Sequence, residues 1–189
     1  VRNLSELVAY AKANPGKLNY GSIGNGSWHH LATEKLLVAL GIEATHVPYK
    51  GETPAVSDLA AGVIQLMIVS GSAKAFLDEG KIVAIASTGS KPAKHAPKAQ
   101  LIRDSGIAGV ADYEEMPWIG FGMAAGAPAD IVNKLHGALV KALESNEVQT
   151  RLTLLGDIET STPTELQTIV RRELASNQKL LVSGRIKLN

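Results

Sequence analysis

The chain has 189 residues, 45% hydrophobic, 20% charged and only 4% aromatic, and 19 basic against 18 acidic side chains leave a formal charge of +1. That much apolar material excludes wholesale disorder, and near-neutral charge with few aromatics argues against a general nucleic-acid binder. No uncharged apolar run reaches the ~18 residues of a membrane-spanning helix, and the absence of cysteine removes disulfides, thiolate catalysis and cysteine-held metals.

Strand and helix patterns alternate along the chain, which predicts an α/β fold with a mainly parallel sheet flanked by helices. Leu4 to Ala13 reads as a helix, with Leu4, Leu7, Val8 and Ala11 on one face, Asn3 as N-cap and Glu6 at the capping-box position. Leu18 to Ser22 reads as a strand, Gly21 to Ser27 as a glycine-rich turn, and Trp28 to Leu40 as a helix stopped by Gly41. Thr45 to Tyr49 is the next strand, followed by a helix from Pro54 to Ala61 with Pro54 at its first position. Val63 to Val69 and Ile82 to Ser87 are nearly continuous apolar runs, as in buried parallel strands, and a helix ending near Gly80 lies between them. A looser surface stretch, Gly89 to Pro117, holds one short helix near Lys98 to Asp104. Trp118 to Ala124 reads as a strand, Pro128 to about Glu144 and Val148 to Leu155 as helices, the second capped by Gly156, and Ile158 to Ser161 as a brief strand. Thr162-Pro163-Thr164-Glu165 is a capping box that opens a last helix running to about Ser183.

Three loops share one design, each leaving a strand and opening a helix: Tyr20 to Ser27, Tyr49 to Pro54, and Ser70-Gly71-Ser72. If the strands are parallel, all three lie on the carboxyl edge of one sheet, where open α/β sheets take their ligands. Helix starts there offer unpaired amides and partial positive charge, glycines let an anion approach the backbone, and Ser22, Ser27, Thr53 and Ser70 add hydroxyls. Taken singly, each loop also reads as a plain tight turn, Ser27 and Thr53 as helix caps, and Lys50 as a solvated surface lysine. Their convergence is what points to an anion site.

The remaining constellations are weak. Glycines 21, 24 and 26 do not make a dinucleotide fingerprint, because His29 holds the third glycine position counted from Gly24. His29, His30, His46, His95 and His136 lack metal spacing, and Ser70-Gly71-Ser72 lacks the flanking glycines of a nucleophile elbow. No nucleophile–base–orienter set stands out, so no catalytic residue, metal or cofactor is expected.

Leu18-Asn19-Tyr20-Gly21-Ser22-Ile23-Gly24-Asn25-Gly26-Ser27 with His30-Leu31-Ala32, and Val47-Pro48-Tyr49-Lys50-Gly51 with Pro54-Ala55 and Asp58-Leu59, resemble the Bug-type extracytoplasmic receptors of tripartite tricarboxylate transporters. The resemblance continues through Gly62-Val63-Ile64-Gln65-Leu66-Met67, Trp118-Ile119-Gly120 and Ala125-Gly126-Ala127-Pro128, and so covers essentially the whole chain. It implies a periplasmic solute receptor of the type II binding-protein kind, whose two α/β lobes close on a small carboxylate and pass it to membrane transporter subunits. By motif match Tyr20, Ser22, Gly24, Gly26 and Ser27 would form the principal carboxylate-holding loop, Lys50, Gly51, Thr53, Pro54 and Ala55 the second wall, with Ser70 beside them.

The family often places acidic residues where this chain has Gln65 and Val69, which favours a purely anionic ligand over an amino acid. The chain begins at Val1 with no leader, which is expected to have been removed with the preceding part of the family's length. Residues 1–117 are then expected to form one complete lobe, and 118–189 the returning portion of the other. A returning strand at 118–124 without its partners would leave an open edge and favour self-association. Two other classes compete with the receptor: an anion-handling enzyme acting on a phosphate or nucleotide, with His29, His30, His46 or Glu52 as its base, and a carboxylate sensor without a transport role.

Overall fold

A computed structural model describes residues 1–152 and 158–186. Its centre is a three-stranded parallel sheet in the order β2-β1-β3, built from β1 (Asn19–Ser22), β2 (Thr45–Pro48) and β3 (Leu66–Met67). α1 (Leu4–Ala13) precedes β1, α2 (Trp28–Leu40) joins β1 to β2, and α3 (Glu52–Ala60) joins β2 to β3. Register pairs Tyr20 with His46 on one side and with Leu66 on the other, so β1 is hydrogen-bonded along both edges.

The helices start and stop where local chemistry dictates. Asn3 accepts the Glu6 amide at 2.9 Å while the Glu6 carboxylate accepts from the Arg2 amide and the Asn3 side chain, both at 2.8 Å. Gly41 closes α2 at φ 62°, where a side chain would be strained. α3 begins two residues before Pro54, with Gly51 as N-cap. The proline therefore sits third in the helix rather than first, which the first turn tolerates because its amides need no intrahelical acceptor.

Alternation along β1 divides the core in two. Tyr20 turns to the face where Leu4, Leu7 and Ala11 of α1 meet Leu36, Leu37 and Leu40 of α2, together with Ile102, Val110 and Tyr113. Gly21 turns to the other face, where Ala55 and Val56 of α3 pack with Ile64, Met67 and Ala73. Each buried leucine or isoleucine contributes roughly 1.5–3 kcal/mol. The segment after Ser105 is held on α2 by the Tyr113 hydroxyl, which donates to the Ala32 carbonyl at 2.9 Å, and by the Lys35–Glu115 ion pair at 2.8 Å.

Four of the strands expected from sequence are shorter or unpaired. Val63 to Val69 contracts to Leu66–Met67 because its start is a turn: Gly62 has φ 77°, and the Val63 amide closes back on the Asp58 carbonyl at 2.9 Å. Ile82 to Ser87 delivers Ile82, Ile85 and Ala86 to the two cores, yet forms only an isolated bridge from Ser87 to Leu101. Trp118 to Ala124 and Ile158 to Ser161 pair with no strand among the described residues. The expected helix at Lys98 to Asp104 is a single 3-10 turn, Ile102–Asp104.

Downstream lie α5 (Ala129–Leu143), α6 (Asn146–Leu152) and α7 (Pro163–Val182), after a short α4 (Lys74–Asp78). The end of the expected Val148 to Leu155 helix and its Gly156 cap fall outside the described residues. α7 opens on the expected capping box, Glu165 amide to Thr162 Oγ1 at 3.2 Å and Thr162 amide to Glu165 Oε2 at 2.8 Å. Its far end docks on α2, where Leu180 and Ile186 are buried. α5 and α6 bury no residue, and Ile119 and Phe121 are 83% and 77% exposed.

A Cβ added at Gly21 would stand 2.5 Å from Ile64 Cδ1 and 3.3 Å from Met67 Sδ. Gly21→Ala is expected to destabilise the protein by about 1–3 kcal/mol through overpacking of the α3 face, read as a lowered urea midpoint with unchanged m-value.

Candidate functional site

Because β1, β2 and β3 are parallel, the loops after Ser22, Pro48 and Met67 all emerge at one edge. The chain leaves β1 toward β2 and then crosses back beyond β1 to reach β3, so α2 and α3 cover opposite faces. The ends of β1 and β3 therefore flank the crevice that such a reversal opens in an α/β sheet.

The first loop is held by its own hydrogen bonds. Gly24 and Gly26 have φ 128° and 72°, a backbone course that disfavours side chains. Ser22 is fully buried; its hydroxyl accepts the Gly24 amide at 3.1 Å, donates to the Gly24 carbonyl at 3.0 Å and lies 2.6 Å from His46 Nε2. The Gly26 amide donates to His30 Nδ1 at 3.1 Å, and Ser27 caps α2 by accepting the His30 amide at 3.4 Å. Beneath the loop the rings of His30 and His46 stack at 3.9 Å, with Tyr20 stacked on His46 at 5.0 Å. Of the first-turn amides of α2, those of Trp28 and His29 have no acceptor within the helix.

Below this stack lies a buried charge chain. Tyr20 donates to Glu34 Oε1 at 2.7 Å, and Arg185 Nε lies 3.2 Å from Glu34 Oε2. Burial, then the Glu34 hydrogen bond, raise the Tyr20 phenol far above its ordinary value. Burial lowers His29, His30 and His95 below the usual histidine value, against the opposing pull of Glu52, Glu34 and Glu52 respectively. His46 is held down to about 4, first by burial and then by its neighbour His30. The imidazoles around the loop are thus neutral at pH 7.

The second loop presents Lys50, Thr53 and Pro54 to solvent, while Ala55 is buried in the α3 core. Gly51 has no side chain to cap α3, which leaves the amides of Glu52 and Thr53 open at the edge. In the third loop Ser70 donates its amide to Glu52 Oε1 at 2.6 Å and its hydroxyl to Glu52 Oε2 at 2.9 Å, and Ser72 adds its hydroxyl at 2.8 Å. His29 Nε2 stands 4.0 Å from Glu52 Oε2, which sets the start of α2 beside the start of α3.

Gly24, Gly26, Ser27, Lys50, Gly51, Thr53, Pro54 and Ser70 are thereby brought to one edge, whereas Ala55 faces the core and Tyr20 underlies the loop; the expected hydroxyl donors of Ser22 and Ser70 are spent within the chain, the first fully buried against Gly24 and His46 and the second on Glu52. The expected set omitted the two elements that organise it, the His30–His46 stack and Glu52. An acid in the first turn of α3 was a readable signal for Glu52; the stack joins residues on α2 and β2 and carries no local one. Ser22 and His46 share a nucleophile–base distance, but the hydroxyl is sealed and the histidine stacks on an imidazole, with no carboxylate to orient it, so the pair holds a loop rather than attacks a substrate. Two cavities of about 460 and 570 Å³ open between α2, β2 and the end of α7; the first adjoins the first loop, being lined by Asn25, His30 and His46 together with Glu34 and Arg185.

A protein-family model described as "Tripartite tricarboxylate transporter family receptor" matches residues 1–181. The chain is 33% identical over 191 residues to the UPF0065 protein of the tcbD–tcbE intergenic region of Pseudomonas sp. (strain P51), covering 100% of this chain and 56% of that one. Among solved structures, a protein of R. palustris with adipate superposes with TM-score 0.80 at 31% identity, covering 98% of this chain and 62% of that one. MatC from Rhodopseudomonas palustris with bound malate gives TM-score 0.78 at 29% identity, covering 94% and 61%. The chain thus spans little more than half the length of the first relative, at 56%.

Protonation of His46 waits until about pH 4 in the folded protein but begins near the ordinary histidine value of 6.5 in the unfolded chain. Between those values the unfolded chain binds more protons, so stability is full above the upper value and falls as pH drops toward the lower. The urea midpoint is expected to decline from about pH 7 to about pH 4.5, with a shallower decline in His46→Gln.

Proposed function

Because the chain belongs to the tripartite tricarboxylate transporter receptor family, we propose that it serves an extracytoplasmic solute receptor. That receptor captures a small carboxylate in the periplasm and delivers it to membrane transporter subunits. The observation that carries this reading is the convergence of three strand-to-helix loops on one edge with uncapped amides at the starts of α2 and α3. A carboxylate meeting two such helix ends gains about 0.3–2 kcal/mol from each and finds donors for oxygens that must leave water. The names of the neighbours, one with adipate and one with bound malate, support the same ligand class.

In this reading Gly24, Gly26 and Ser27 shape the principal cradle, with Tyr20 and Ser22 fixing it from beneath. Lys50, Gly51, Thr53 and Pro54 line the second wall, Ala55 anchors that wall in the core, and Ser70 closes the third side. Gln65 is committed to Asn19 and Gly62, and Val69 packs in the α3 core, so neither supplies an acid for a ligand ammonium. Membership of a receptor family sets aside the anion-handling enzyme. A sensor differs only in its partner, which a pull-down with the transporter's membrane subunits separates.

Two further statements belong to this reading. Residues 1–117 form one lobe and 118–189 belong to a second, supported by cores whose members lie almost wholly before residue 117. The exposed run with Ile119 and Phe121, at a net charge of +1 that leaves little repulsion between copies, takes a second copy of this chain.

Calorimetry with small carboxylates, nucleotides and sugar phosphates tests the function: carboxylate binding alone is expected, and preference for a nucleotide overturns it. In light scattering the mass is expected to rise with concentration and to fall to the monomer in Phe121→Asp; a monomer at every concentration refutes self-association.

A further inference from the structure

The most constrained group at the loop edge is a carboxylate of the chain itself. Glu52 leaves the first turn of α3 and reaches across the end of β1 to the loop after β3. There it accepts the Ser70 amide at 2.6 Å, the Ser70 hydroxyl at 2.9 Å and the Ser72 hydroxyl at 2.8 Å. Three donors from a separate segment fix its position, so the side chain cannot swing away as an ordinary surface glutamate does. Its side chain is only 19% exposed, which keeps its charge weakly screened. The nearest imidazole, His29 at 4.0 Å, is kept neutral by burial and does not cancel that charge. His29 is also the second residue of α2, the helix whose start carries the uncapped amides.

We propose that Glu52 is a specificity-determining residue that turns the crevice between the β1 and β3 loops against a second negative charge, so that the ligand held there carries one carboxylate and presents an uncharged end to Glu52. The claim rests on the carboxylate-receptor reading above. His29 carries one of the open amides at the start of α2 and its ring reaches to 4.0 Å from Glu52 Oε2, so the helix start and the carboxylate lie one side chain apart. A second carboxylate there meets a fixed like charge, and the donors that could have received it, Ser70 and Ser72, are already filled. An uncharged end meets no such repulsion. Discrimination by a placed repulsive group needs no extra contact to the accepted ligand.

Succinate and butyrate test this by calorimetry, since they differ only by a carboxylate in place of a methyl. The wild-type chain is expected to bind butyrate at least as tightly as succinate. Glu52→Gln keeps an acceptor for the serines and removes the charge; it is expected to raise the ratio of succinate to butyrate affinity about tenfold. Ser72→Ala loosens the carboxylate without removing its charge and is expected to keep the wild-type order of the two acids. An unchanged succinate-to-butyrate ratio in Glu52→Gln, or an equal change in Ser72→Ala, overturns the role of Glu52 while leaving the receptor reading in place. Binding of neither acid by any of the three proteins overturns the carboxylate-receptor reading and this inference with it.

Discussion

Everything at the candidate site depends on β1 being paired along both edges in parallel. A strand of four residues has little stability of its own, but Asn19–Ser22 receives a ladder from β2 on one side and from β3 on the other. That arrangement aligns the carboxyl ends of three strands. It also sends α2 and α3 to opposite faces, which opens the crevice between the first and third loops. Gly21 is the tightest point of this arrangement, because the Ile64 and Met67 side chains close over the place where its Cβ would stand. The shape of the loop edge is therefore a consequence of packing on the α3 face.

The loop that leaves that strand is held by bonds within the chain. The Ser22 hydroxyl and the Gly24 amide bond one another, as do the Gly26 amide and His30, and the loop rests on stacked imidazoles. The Tyr20–Glu34–Arg185 chain supports the stack from below, and its members are costly to separate because each lost partner leaves a buried polar group unpaired. A cradle fixed in this way presents amides already aimed, so ordering it adds little to the entropy lost on binding. The same burial keeps the histidines neutral, so the loop offers dipoles and hydrogen-bond donors rather than charged imidazoles.

Legibility followed the range of the interaction. The starts of α1, α2 and α7 were readable because Asn3–Glu6, Ser27 and Thr162–Glu165 act within a few residues of each other. The parallel sheet and the three loops were readable because strand, glycine turn and helix follow in a fixed order. The strands at 82–87, 118–124 and 158–161 failed for the opposite reason. Alternation or apolarity marks a segment that could pair, and pairing needs a neighbour that the segment's own residues do not specify. The His30–His46 stack and the Glu52 contacts with Ser70 and Ser72 join segments sixteen to twenty residues apart, and no local pattern announces them. The family resemblance pointed to loops that the structure gathers at one sheet edge, and left out the Glu52 contacts that hold two of them together.

The net charge of +1 acquires a meaning from this geometry. A receptor that attracted anions with a field of lysines would draw di- and tricarboxylates in order of charge. A chain that meets them with helix-start amides applies only a partial positive charge at each end, and that reads the first carboxylate well and the second hardly at all. Against so weak an attractive background, one fixed carboxylate on the crevice wall is enough to decide the order of preference. Net neutrality and Glu52 are therefore parts of one arrangement: the amides supply the affinity for one anionic group, and the placed acid sets how many the ligand is allowed.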